Sequence, residues 1–115
     1  MRPALLGLGT AVPEHALPQA QIATWLARAL ERQPGAPDGF GRVVHRMAER
    51  AGVQNRATVL PDYTTNAPER FSFYPPTWDL APFPTTATRM MAYREHAVPL
   101  AARAARQAPT YCDST

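Results

Sequence analysis

Residues 38–56 read DGFGRVVHRMAERAGVQNR, and their spacing predicts one helix with two unlike faces. Val43, Met47 and Ala51 recur every four residues, which sets them along one side and makes them the expected buried stripe. Arg42, Arg46 and Arg50 form a second stripe offset from the first. Asp38 or Gly39 can begin the helix and Gly52 can end it, because glycine adopts the left-handed conformation that closes a helical turn. Val53 to Leu60 then departs in a new direction as an extended segment. Three guanidinium groups on one side suit phosphate, whose oxygens arginine holds with two parallel N–H donors. The same stripe also describes an ordinary solvated helix face, with Glu49 diluting its charge.

Composition narrows what this helix can belong to. A length of 115 residues is that of one domain, and the formal net charge is only +3. Alanine accounts for 21 residues, while Leu, Ile, Val and Phe together number 20, a thin supply of core for that length. With clear helical patterns and little net charge, the thin core argues for a piece of a larger fold rather than for disorder. All twelve basic residues are arginine, yet acids interrupt them too often for a nucleic-acid surface, and no nucleic-acid partner is expected. Cys112 is the single cysteine, so neither an internal disulfide nor a cysteine-rich metal site is expected. No run is long and apolar enough for a membrane span or a secretory signal, and a cytoplasmic location without membrane association is expected.

Along the chain, residues 4–9, ALLGLG, read as a short buried strand, the one clear strand of the sequence. Gly7 and Gly9 begin a G-x-G pattern, but the third glycine is replaced by Val12, so close backbone packing is the better use for them than a dinucleotide-binding turn. Residues 18–32 predict a first helix with Pro18 in its first turn and Ile22, Leu26, Ala29 and Leu30 on its apolar side; Trp25 on that helix is read as packing. QPGAP at 33–37 is a turn. Residues 61–84 are rich in proline and carry six aromatic rings, which predicts a long loop held down by those rings. A proline-rich ligand for a recognition domain is the competing reading, although P-x-x-P with flanking basic residues appears only loosely. A third helix is expected over 85–107, capped by Thr85 or Thr86, with Met90, Tyr93, Ala97, Leu100, Ala101, Ala104 and Ala105 on one side. Pro99 inside it predicts a kink or two helices in series.

Few residues offer chemistry of their own. His15, His45 and His96 show no ligand spacing with one another or with Cys112, and no metal site is expected. Cys112, within APTYCDST, has no neighbouring base or helix start to activate it, and Ser72 lacks both an elbow of glycines and a base. No catalytic residue is therefore assigned within the chain.

Four pieces taken in order, GLGTAVP, HRMAERAGVQNR, FYPPTWDLAPFPTTATRM and AYREHAVPLAARAA, resemble the beginning of bacterial type III polyketide synthases, the chalcone and stilbene synthase family. The resemblance runs over nearly all of residues 1–115 but over only about the first third of such an enzyme. It implies an α/β chain forming the N-terminal portion of a thiolase-like fold, layered helices and sheet, with one clear strand and about three helices here and the catalytic cysteine lying beyond. It also implies an acyltransferase that condenses malonyl-CoA, with decarboxylation, onto an acyl-CoA starter held as a cysteine thioester, and that works as a homodimer without a further cofactor. Carried over by position, two coenzyme A phosphate ligands fall on Arg46 and Arg50. A third, usually lysine, falls on Val43, and Arg42 beside it projects about 100° away around the helix. Taken alone, this chain should be catalytically silent. Gly52, Val53 and Arg56 also fit the ketoacyl-carrier-protein synthases of fatty acid biosynthesis, but the aromatic insert and the absence of tryptophan ahead of Gly52 favour the polyketide enzymes. The remaining class is a small helical module that uses Arg42, Arg46 and Arg50 to hold an anionic partner.

Overall fold

The computed structural model describes residues 2–108 as a mixed α/β chain with three α-helices and a two-stranded antiparallel sheet. It divides into two compact units, Glu14–Thr85 on the one hand and Met1–Pro13 with Thr86–Thr115 on the other.

In the larger unit, β1 (His15–Pro18) leads directly into α1 (Gln19–Glu31), and α2 (Phe40–Arg50) is followed by β2 (Asn55–Thr58). The strands pair with His15 opposite Thr58 and Pro18 opposite Asn55, and the Gln19 amide continues the ladder by donating to the Gln54 carbonyl at 2.8 Å. Pro18 makes the change from strand to helix possible, since its backbone (φ −58°, ψ 139°) is still extended while the next residue is helical. The HALP strand was not expected from sequence; four residues with a terminal proline carry almost no periodic signal.

Burial along α1 alternates, with Ala23, Trp25, Ala27 and Ala29 buried. Positions two apart on a helix lie about 200° around its axis, so alternation means that two opposite faces are covered. Ala27 meets α2 at Gly41, where an added Cβ would lie 3.4 Å from the Ala27 Cβ and run into the Glu31 carboxylate. On the other face, Trp25 and Ala29 pack with Leu80. Of the expected apolar side, Ile22, Leu26, Ala29 and Leu30, only Ala29 is fully buried and the other three are partly buried.

The expected inward stripe of α2 is corrected in the same way. Val43 is 46% and Met47 67% exposed, and Ala51 is exposed as well, whereas Gly41, Val44, His45 and Ala48 lie inward. Four-residue spacing says which side chains share a side, not which side meets the neighbour. Here the chain turns back through Gly39 (φ 73°), and the position with no side chain, Gly41, permits the close approach to α1.

The loop of residues 59–85 is held against α1 by its rings, as its composition predicts. Around the Trp25 indole stand Tyr63 at 4.5 Å, Phe71 at 5.4 Å, Tyr74 at 5.5 Å and Trp78 at 5.9 Å between ring centroids. Asp62, 1% exposed in a short 3-10 turn, was not anticipated. Its Oδ1 accepts from the Ser72 amide (2.9 Å) and hydroxyl (3.0 Å), and its Oδ2 from the amides of Phe73 (3.0 Å) and Tyr74 (2.8 Å). Gln33 adds a tie, its Nε2 donating to the carbonyls of Ala29 and Asp79.

In the smaller unit, α3 (Thr86–Gln107) runs unbroken through Pro99, so two helices in series do not form. No α3 residue is buried; Met90 and Tyr93 of its expected packed side are 53% and 67% exposed, while Ala97, Leu100 and Ala104 are half-buried. The strand expected over residues 4–9 is absent: Leu5, Leu6 and Leu8 are 84%, 64% and 73% exposed. Strand geometry persists through ladder pairing, and among the described residues no strand pairs with this segment. Gly9 instead lies against α3, where a Cβ would meet the backbone of Ala104 and Ala108, so close backbone packing is indeed its use. Arg103 Nη2 donates to the Val12 carbonyl at 2.6 Å in the same unit.

Asp62→Ala should leave three backbone amides without acceptors and lower stability by about 3 kcal/mol, read as an earlier urea midpoint in the fluorescence of Trp25 and Trp78. Gly9→Ala should raise hydrogen exchange at the Ala108 amide, because backbone atoms cannot yield to a methyl group, while Gly35→Ala, with open space around it but φ 77°, should leave that exchange unchanged.

Candidate functional site

The arginine stripe of α2 is the site that sequence singles out. Its helix is fixed on the opposite side by the Gly41–Ala27 approach, and its start is closed by Val43 and Arg42 amides donating to the Gly39 carbonyl. Arg42, Arg46 and Arg50 are all exposed, with Arg46 and Arg50 separated by one helical turn, about 6 Å along the axis.

The three side chains are not equivalent. The Arg42 guanidinium folds back over Gly39, close enough that a Cβ there would sit 2.9 Å from Nη2. Arg46 and Arg50 have no hydrogen-bond or ion-pair partner among the described residues. Other arginines are employed in the structure: Arg28 donates to Asn66 Oδ1 and lies 5.5 Å over the Trp78 ring, Arg32 donates to the Arg28 carbonyl, and Arg56 Nε donates to Gln19 Oε1 at 2.7 Å. Arg50 also stands in the last turn of α2, where helix carbonyls favour a cation. Two unengaged, permanently charged forks on a rigid helix can accept phosphate oxygens without first breaking protein contacts.

Residues that might do covalent chemistry are not assembled. Ser72 is occupied by Asp62, with no histidine in that network. Tyr63 and Tyr74 share a hydrogen bond at 2.9 Å between hydroxyls, and burial, followed by that bond, pushes the Tyr63 phenol well above its ordinary range, so it stays protonated. His45 lines a cleft of about 430 Å³ with Glu49, Gln19 and Gln54. Among the described residues no group of three or more His, Cys, Asp or Glu side chains could hold a metal ion. Cys112 lies outside the described residues. No helix among them is long and apolar enough to cross a membrane.

Comparison with protein-family models, curated proteins and solved structures finds no match to this chain.

Pyrophosphate titrated into the chain should shift the side-chain NH resonances of Arg46 and Arg50 more than that of Arg42, and Arg46→Ala should weaken its binding about tenfold, the loss of one charge-assisted bidentate contact.

Proposed function

We propose that the chain is the coenzyme-gripping N-terminal portion of a decarboxylative condensing enzyme of the chalcone and stilbene synthase kind, with a thiolase-like fold and acyl-CoA and malonyl-CoA as substrates. The observation that carries this reading is the pair Arg46 and Arg50, exposed, one turn apart and without protein partners, on the helix that bears HRMAERAGVQNR. Three helices in the expected order, the loop packed by its rings and a proline within the third helix accord with it. In this reading the arginines neutralise the coenzyme phosphates and set the reach of the thioester, while a cysteine elsewhere in the enzyme accepts the acyl group, a homodimer forms, and the reaction is cytoplasmic. Arg42, held over Gly39, contributes less than its two neighbours.

A second reading, an anion-binding module without catalysis, draws on one observation: Glu14–Thr85 is a compact unit with an aromatic core of its own.

Calorimetric titration separates the two readings. Coenzyme A should bind, pantetheine without phosphates should not, and Arg46→Ala or Arg50→Ala should each weaken coenzyme A about tenfold. In the condensing enzyme the same substitutions should raise KM for the acyl-CoA and leave a phosphate-free thioester unaffected. Equal binding of pantetheine and coenzyme A overturns the proposal, and binding of any polyanion with equal affinity favours the module.

A further inference from the structure

A second cleft of the Glu14–Thr85 unit lies between α1 and α2, with a volume of about 560 Å³. Its walls are Ile22, Leu26 and Leu30 from α1 and Phe40, Val44 and Met47 from α2, all aliphatic or aromatic. Ile22, Leu26, Leu30, Phe40 and Val44 are each partly exposed along this trough, and Met47 is 67% exposed at its rim.

The cleft is polar at one end only. Because α2 returns antiparallel to α1 across residues 32–39, Leu30 and Phe40 flank the connecting turn, while the start of α1 and the end of α2 meet at the far end. There Gln19, Ala51 and Arg56 complete the lining, and Arg56 is the one charged lining residue. Its Nε is committed to Gln19 Oε1, and its terminal nitrogens have no partner among the described residues. From Ile22 to Leu30 the apolar wall extends about 12 Å along α1. A volume of this size falls in the range of small-molecule sites.

We infer that this cleft binds a medium-chain fatty acid, the alkyl chain lying between α1 and α2 towards Leu30 and Phe40 and the carboxylate paired with Arg56. Charge complementarity selects this occupant: an apolar trough closed at one end by a guanidinium matches a single-chain anion, and the unused Arg56 nitrogens offer a carboxylate two donors in one plane. A neutral chain would bury the same surface but leave the cation unpaired. The site does not involve phosphate, so it stands apart from the coenzyme grip of Arg46 and Arg50.

The test uses the full 115-residue chain labelled with 13C at its methionine methyls. Decanoate should shift the Met47 methyl saturably and leave Met90 and Met91 in place; decanol should bind about tenfold more weakly, and butyrate should not register. Arg56→Gln should weaken decanoate about tenfold without changing decanol. Ala51→Glu, an exposed change at the charged mouth, should weaken decanoate likewise, whereas Arg46→Ala should not. Equal affinities for decanoate and decanol overturn the assignment, as does an unsaturable shift. A Met47 shift that follows protein concentration alone overturns it in favour of a second copy of the chain.

Discussion

With so few aliphatic side chains, the Glu14–Thr85 unit takes its core from a single indole: Trp25, 2% exposed, is enclosed by Tyr63, Phe71, Tyr74 and Trp78 together with Leu80 and Ala29. Burying an indole is worth about 5 kcal/mol from area alone, and each ring pair adds about 1 kcal/mol. The enclosing rings come from a proline-rich loop that forms no sheet ladder, so its backbone needs other partners. Asp62 supplies them for residues 72–74, and those donors in turn offset the cost of burying a carboxylate. Each device depends on the other, because without the carboxylate the rings lose their backbone positions.

Leu80 records how strongly this packing is enforced. Its φ of 56° is an unfavourable conformation for a bulky side chain, costing about 1–3 kcal/mol, yet its side chain is 6% exposed against Trp25 and Ala29. The turn is stabilised on both sides, with the Leu80 amide donating to the Thr77 carbonyl and Asp79 Oδ1 accepting from the Thr77 hydroxyl and the Ala81 amide. Hydrogen bonds from Thr77 and Ala81 hold the Asp79 carboxyl below its usual range.

Covering α1 on two opposite faces determines what α2 can present. One side of α2 is spent on Gly41, Val44 and Ala48 against α1, which leaves Arg46 and Arg50 exposed on the far side and Met47 at the rim of the apolar cleft. The exposed Arg46–Arg50 pair and the apolar cleft, the two features on which the proposed coenzyme and fatty-acid sites rest, thus follow on one short helix from a single packing choice at Gly41.

Local signals were legible where they are strong. Helix spans and turns follow from Pro18, Gly39, Gly52 and the four-residue recurrences, and the ring-rich loop was readable as anchored because so many aromatics are not left in water. The arginine stripe was equally visible, since guanidinium spacing along a helix needs no tertiary knowledge. What only the tertiary structure decided is orientation and pairing. The sequence marks Val43, Met47 and Ala51 as companions, but the close approach at Gly41 turned them outward. An apolar run at residues 4–9 has strand propensity, but a strand needs a partner, which is a nonlocal fact. Asp62 looks like any surface acid until three amides ten to twelve residues away converge on it.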